Sequence, residues 1–195
     1  MYMRKYLRMT GVALCGMALI FSSCVSTPDY VPPDYDAALD SYLAGIDKTK
    51  QAADLALIDD SLHSKWHYTD ALIDPKGGVR YRILEMGTGE KPLLTSLVLF
   101  SYSGRLFSKG LNSKPFDENL SPSSQNYAYV YQYIPAMLTT LPLLPEGSRV
   151  QMFIPSELAY GSTGSSNPNT GEYVVPRDAI LIFDLTLEDV ITQTQ

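Results

Sequence analysis

Cysteine and histidine occur only twice each in these 195 residues and tryptophan once, and cations are outnumbered, with 15 Lys plus Arg against 21 Asp plus Glu and a net charge of -6. The shortage of cations argues against nucleic acid, because neutralising phosphates needs clustered Lys and Arg. The one dense basic cluster, Arg4, Lys5 and Arg8, stands at the N-terminus. No Gly-x-Ser-x-Gly elbow, phosphate-binding Walker loop or Gly-x-Gly-x-x-Gly fingerprint is present, which removes the corresponding hydrolase, nucleotide and dinucleotide chemistries. His63 and His67 are four apart and would share a helix face. With no third ligand at a persuasive spacing they read as two histidines of a linker helix, and no metal or cofactor is expected. What the chain does have is apolar residues, at 45%, enough for the core of one ordinary domain with extensions.

The basic cluster is followed by a largely apolar run of 13 residues, Met9 to Phe21, and then by Ser22, Ser23 and Cys24. The run is too short to span a bilayer as a stable helix, and the order of charge, apolar stretch and small residues is that of a secretory signal. Phe21-Ser22-Ser23-Cys24 also resembles a bacterial lipobox, with Phe where Leu is usual. Residues 1–23 are therefore expected to be a lipoprotein signal peptide and Cys24 the lipidated first residue. The alternative is an ordinary cleaved signal with Cys24 as an incidental thiol. Cleavage leaves 172 residues, and since the signal holds three cations and no acid, the net charge falls to -9. Cys15 leaves with the signal, so no free thiol, disulfide or thiolate metal site is expected in the mature chain.

Residues 24–36, with Pro28, Pro32 and Pro33, read as an extended Pro-rich tether. In the helical N-terminal segment, 37–74, Leu39, Tyr42, Leu43, Ile46, Ala53, Leu57 and Ile58 recur mostly at steps of three and four. That predicts one or two amphipathic helices, interrupted near Gly45. Their stripe must be buried against the following domain or against a second copy of the chain. From Gly77 onward the pattern is one of strands and turns, including Val79 to Leu84, Leu97 to Phe100, Val150 to Ile154 and Ile180 to Leu187. One short helix, opened by Pro135, is expected between Ile134 and Leu141. Residues 75–191 thus read as an α+β domain: a mostly antiparallel sheet with a short helix packed on it. Tyr127, Tyr129, Tyr131 and Tyr133 alternate with smaller residues and are expected on one strand face, either as a cross-strand ladder or as a peptide-stacking rim.

Several segments of this domain, in order, resemble FKBP-type peptidyl-prolyl cis-trans isomerases. They are Gly78 to Pro92, Tyr102-Ser103-Gly104, Phe116-Asp117, Gly147-Ser148-Arg149, Ile154 to Gly161, Val175-Pro176 and Leu181 to Leu185. The resemblance implies a twisted antiparallel sheet wrapped around a short helix, with an aromatic pocket between them. It implies Tyr102, Phe116, Asp117, Tyr160 and Phe183 as catalytic residues, and Tyr133, Ile134, Met137 and Val175 as substrate-binding residues. Ala136-Met137 stands where the family usually has Gly-Trp at the pocket floor, and the loops 104–116 and 161–176 are longer than usual. Taken without the resemblance, Phe183 reads as core, Tyr102 and Tyr160 as tyrosines at a domain edge, and Asp117-Glu118-Asn119 as a solvated turn.

The chemistry so implied is rotation about an X-Pro amide, assisting the folding of secreted or envelope proteins at a bacterial cell envelope to which lipid on Cys24 anchors the chain. Proline-containing polypeptides are the expected partners. Two other roles fit the same sequence: a non-catalytic binding or chaperone module, motivated by Ala136-Met137, and homodimer assembly through the N-terminal helix.

Overall fold

A computed structural model describes residues 33–192. The signal segment, Cys24 and most of the Pro-rich tether lie outside the described residues.

Asp34 opens the first helix, α1 (Tyr35–Gly45), by accepting a hydrogen bond from the Ala37 N–H, and Asp47 opens α2 (Lys48–Asp60) by accepting from Thr49 and Lys50. Each carboxylate satisfies donors that a helix start leaves unpaired and sits at the positive end of the helix dipole. The break therefore falls at Ile46-Asp47, next to Gly45 as the pattern predicts. A wider helical turn, Ser61–Lys65, ends the segment. His67 lies past that turn with a positive φ of 55°, so the two histidines do not share a helix face as their spacing led us to expect.

Strands β1 (Leu72–Ile73), β2 (Arg80–Glu85), β3 (Leu97–Leu106), β4 (Asp117–Asn119), β5 (Ala128–Tyr129), β6 (Arg149–Ile154) and β9 (Leu181–Ile191) form one antiparallel sheet in the order β1-β2-β6-β9-β3-β4, with β5 also on β3. A separate hairpin, β7 (Ser165–Ser166) with β8 (Tyr173–Val175), forms the flap. The sheet hinges on β3 and β9, which pair from Leu97 opposite Ile191 to Leu106 opposite Leu181.

Because successive strand residues point to opposite faces, neighbours in sequence enter different cores. Met152 and Phe183 join the main core with Val98, Phe100 and Leu185, while Phe153 and Ile182 join a second one. Helix α3 (Pro135–Thr140) covers the first face. Pro135 occupies its first turn, where a missing N–H costs nothing, and Ala136, Met137, Thr139 and Thr140 are buried. On the opposite face Ile58 and Leu62 pack with Phe153 and Ile182, and the Trp66 ring stacks on Phe153 at 5.4 Å.

Leu39 and Leu43 of α1 are buried in the main core of the same chain. Tyr42, half exposed, donates its hydroxyl to the Glu157 carbonyl at 2.7 Å. Leu39 and Leu43 are thus taken up by the domain that follows, while Tyr42 and Leu57 of the same stripe stay exposed.

The tyrosine row also differs from its expected form. Only Ala128 and Tyr129 pair with β3; Val130 then turns inward, fully buried, in a 3-10 turn that delivers the chain to α3. Tyr129 and Tyr131 stack at 5.1 Å, and Tyr131 stacks in turn on Tyr35 of α1 at 3.9 Å. Tyr133 instead packs on Phe100, with centroids 4.9 Å apart.

Candidate active site

Strand β3 carries Tyr102 and Gly104 on one face, and β4 returns antiparallel so that Asp117 lies opposite Gly104. The Phe116 N–H donates to the Gly104 carbonyl at 2.9 Å, which fixes the approach of the Phe116-Asp117 pair. Asp117 accepts the Tyr102 hydroxyl at 2.8 Å. Asp117–Asn119 is therefore a paired strand, not the solvated turn that the sequence read in isolation would give.

Phe183, opposite Gly104 on the other neighbour of β3, is buried, with its ring edge-on to Phe116 at 5.9 Å and tilted against Tyr102 at 5.9 Å. Such ring pairs favour edge-to-face geometry beyond their area of contact. Gly104 makes the arrangement possible: a Cβ there would stand 2.9 Å from both the Phe116 and Phe183 Cζ atoms. The Tyr-x-Gly pattern was visible in the sequence, but not this role of its glycine.

Phe116, Asp117, Tyr160 and Val175 line a cavity of about 200 Å³, whose far wall is Ser165 to Asn167 and Val174 of the flap. These flap residues were not among the expected site residues. The flap is pinned at Gly164, whose N–H donates to the Tyr160 carbonyl at 3.0 Å. At φ +66° a Cβ on Gly164 would strike the Val175 carbonyl at 2.7 Å.

Ile134, Met137 and Phe183 share the core cluster on which Tyr102, Phe116, Tyr133 and Tyr160 pack. Met137 is completely buried in that core. Tyr133 and Ile134 line a second cavity on the other side of Tyr160. Tyr160 thus borders both hollows, Phe116, Asp117 and Val175 line the first and Tyr133 and Ile134 the second, while Tyr102, Met137 and Phe183 line neither.

Burial, and then its bond to Asp117, push the Tyr102 hydroxyl well above the ordinary phenol range, so it remains a donor to that carboxylate throughout the physiological range. The site offers apolar walls, a carboxylate held by a neutral phenol, and a tyrosine at the rim. Among the described residues there is no group of three His, Cys, Asp or Glu that could hold a metal ion. No helix among them is long and apolar enough to cross a membrane.

A family model for FKBP-type peptidyl-prolyl cis-trans isomerase matches residues 88–188. The chain is 32% identical over 112 residues to an FKBP-type peptidyl-prolyl cis-trans isomerase FkpA of Aeromonas hydrophila, covering 57% of this chain and 38% of that protein. It is 33% identical over 91 residues to the outer membrane protein MIP of Legionella longbeachae, covering 47% and 37%. It is 28% identical over 116 residues to the FKBP-type 22 kDa peptidyl-prolyl cis-trans isomerase of Escherichia coli, covering 60% and 52%. The chain thus spans well under two thirds of each of these relatives. Among solved structures, a peptidyl-prolyl cis-trans isomerase of Pseudomonas syringae superposes with a TM-score of 0.55 at 23% identity, covering 84% of this chain and all of that one. FkpA from Escherichia coli gives 0.53 at 24%, covering 80% and 64%. On the match across residues 88–188, this chain belongs to the FKBP-type peptidyl-prolyl cis-trans isomerase family.

Proposed function

We propose that this chain is a peptidyl-prolyl cis-trans isomerase that assists the folding of secreted or envelope proteins, held at the bacterial cell envelope by a lipid on Cys24. The observation that carries the reading is the gathering of Phe116, Asp117, Tyr160 and Val175 around one small cavity backed by Tyr102 and Phe183. The family's activity and a relative named as an outer membrane protein support it.

Rotation about an X-Pro bond takes tens to hundreds of seconds unaided, over a barrier of about 20 kcal/mol. A roughly 10⁴-fold acceleration needs only about 5.5 kcal/mol of transition-state stabilisation. Nothing covalent changes but the twist of the amide, so no nucleophile is called for. The planar amide is more polar than the twisted one, and an apolar, water-poor cavity favours the twisted form. Phe116, Val175 and Phe183 supply the apolar surface over the Met137 floor. Tyr160 donates to a substrate carbonyl, and the Ile134 N–H fixes the peptide backbone. Asp117, oriented by Tyr102, stabilises partial charge on the rotating carbonyl group.

A second reading, a binding or chaperone module without catalysis, is favoured by Ala136-Met137, since methionine gives up the flat ring of tryptophan. Refolding of a client whose slow phase is prolyl isomerisation separates the two. The isomerase reading predicts that catalytic amounts of the chain shorten that phase at least tenfold. A parent that is silent, with activity appearing in Met137→Trp, would decide for the binding module.

A further inference from the structure

The N-terminal helices grip the chain on both sides of Tyr160. Before it, the turn Ser156–Leu158 is held at three points. Asp54 of α2 accepts from the Ser156 N–H at 2.8 Å and from its hydroxyl at 2.5 Å, Tyr42 of α1 donates to the Glu157 carbonyl at 2.7 Å, and the Glu157 carboxylate lies 3.2 Å from the Lys50 ammonium. After it, the Asp178 N–H donates to the Gly161 carbonyl at 2.9 Å, which ties the residue next to Tyr160 to the chain returning from the flap. The Asp178 carboxylate accepts from the same Lys50 ammonium. Asp54 and Tyr42 grip only the entering turn, whereas Lys50 reaches both segments.

We infer that Lys50 is a positioning residue for proline isomerisation: by clamping Glu157 to Asp178 it fixes the Tyr160-Gly161 stretch, and with it the place from which the Tyr160 hydroxyl donates to the substrate carbonyl. The inference rests on the isomerase reading of the cavity at Asp117. Tyr160 lines that cavity together with Val174 and Val175 of the flap, so a shift at either partner of Lys50 moves a wall of it.

Two further observations mark the clamp as more than a surface ion pair. The backbone it joins is left-handed on both sides, at φ 52° for Gly161 and 60° for Asp178, and Asp178 is one of two non-glycine residues with positive φ among the described residues. Such a conformation is costly for a residue with a Cβ and persists where the surroundings over-determine it, as the Gly161 carbonyl and Lys50 do here. The bridge is also sheltered, with Lys50 25% and Glu157 16% exposed, and it links three charges. Loss of a partly exposed ion pair costs a fold little, but a reacting group displaced by about 1 Å costs up to about 100-fold in rate. The effect of Lys50 therefore belongs mainly to activity.

The test uses the chain from residue 24 with Cys24→Ser, as parent and with Lys50→Met, Tyr160→Phe and the two combined. Methionine keeps the length and helix propensity of lysine and removes its charge. For cis-trans exchange of a short X-Pro peptide, kcat/KM is expected to fall about tenfold in each single variant. The combined variant is expected to fall little further than Tyr160→Phe alone, because a residue acting through that hydroxyl has nothing left to position. A loss caused by a weakened fold would instead multiply with that of Tyr160→Phe. Amide hydrogen exchange reads the clamp directly: Asp178 is expected to exchange at least fivefold faster in Lys50→Met, with the paired amides of β3 and β9 unchanged. An unchanged rate in either single variant, losses that multiply, Asp178 exchange as slow as in the parent, or a quickening shared by β3 and β9 overturns the inference and leaves the isomerase reading in place. A parent that does not accelerate peptide exchange overturns both.

Discussion

Tyr102 and Asp117 share one hydrogen bond, and its consequence reaches beyond the site. Tyr102, Tyr42 and Tyr81 all have hydroxyls raised above the ordinary phenol value, in each case first by burial and then by a neighbouring acid. The unfolded chain releases these protons near pH 10 while the folded chain still holds them. Stability from these groups is therefore complete below pH 10 and is lost as pH rises through the raised folded values. Tyr102→Phe removes one contributor, so its unfolding free energy should decline less between pH 9 and pH 11.5 than that of the parent, by urea titration at each pH; an identical decline would refute the assignment. At this scale the sequence was legible where motifs stood in order, as at Tyr102, Phe116-Asp117 and Tyr160. It was silent on Gly104 and Val174, because a missing Cβ under two rings and a flap residue folded over a cavity are contacts between distant segments that no local pattern carries.

At the scale of elements, the N-terminal helices change their meaning once packed. Their periodicity announced a stripe but not its partner, because burial against a domain and against a second copy ask for the same residues. The partner is the chain's own sheet. Four aliphatic side chains, Leu39, Leu43, Ile58 and Leu62, are buried there, each contributing roughly 1.5–3 kcal/mol as an upper estimate. The polar contacts are as specific: buried Asp54 accepts from both the N–H and hydroxyl of Ser156, at 2.8 and 2.5 Å, and Gln51 donates to the Gly77 carbonyl at 2.8 Å. Lys50 bridges Glu157 and Asp178, at the turn before Tyr160 and at the end of the flap. Burial lowers the affinity of Lys50 for its proton, but its bonds to those carboxylates outweigh this and hold it charged. Helix α2 thus braces the two loops that frame the site. Ile58→Ala is expected to cost about 2–5 kcal/mol through the cavity it leaves. Asp54→Ala is expected to cost about 1–3 kcal/mol by stranding the Ser156 donors, with a single cooperative transition kept in both. A change below 0.5 kcal/mol in both variants, by chemical denaturation, would mean that the helices sit on the domain without stabilising it. The tyrosine row shows the converse limit. Period-two alternation predicts a strand over 127–133, yet only two residues pair, since Val130 turns inward to reach α3.

For the molecule as a whole, α+β class, antiparallel sheet and short covering helix were all readable, because strand periodicity, turn chemistry and Pro135 agree with one another. The two-faced packing was less so: Met152-Phe153 and Ile182-Phe183 are consecutive apolar pairs whose members go to opposite cores, and a continuous apolar run does not say what covers its second face. Ile58 and Leu62 cover that second face, while Leu39 and Leu43 of α1 enter the main core. The most direct test of the central claim is the cis-trans exchange rate of a short X-Pro peptide, measured by NMR exchange spectroscopy with the parent chain and with Asp117→Val combined with Tyr160→Phe. The account predicts strong acceleration by the parent and its loss in the double variant with the fold intact. Exchange no faster with the parent than without protein, or equally fast with the double variant, would contradict it.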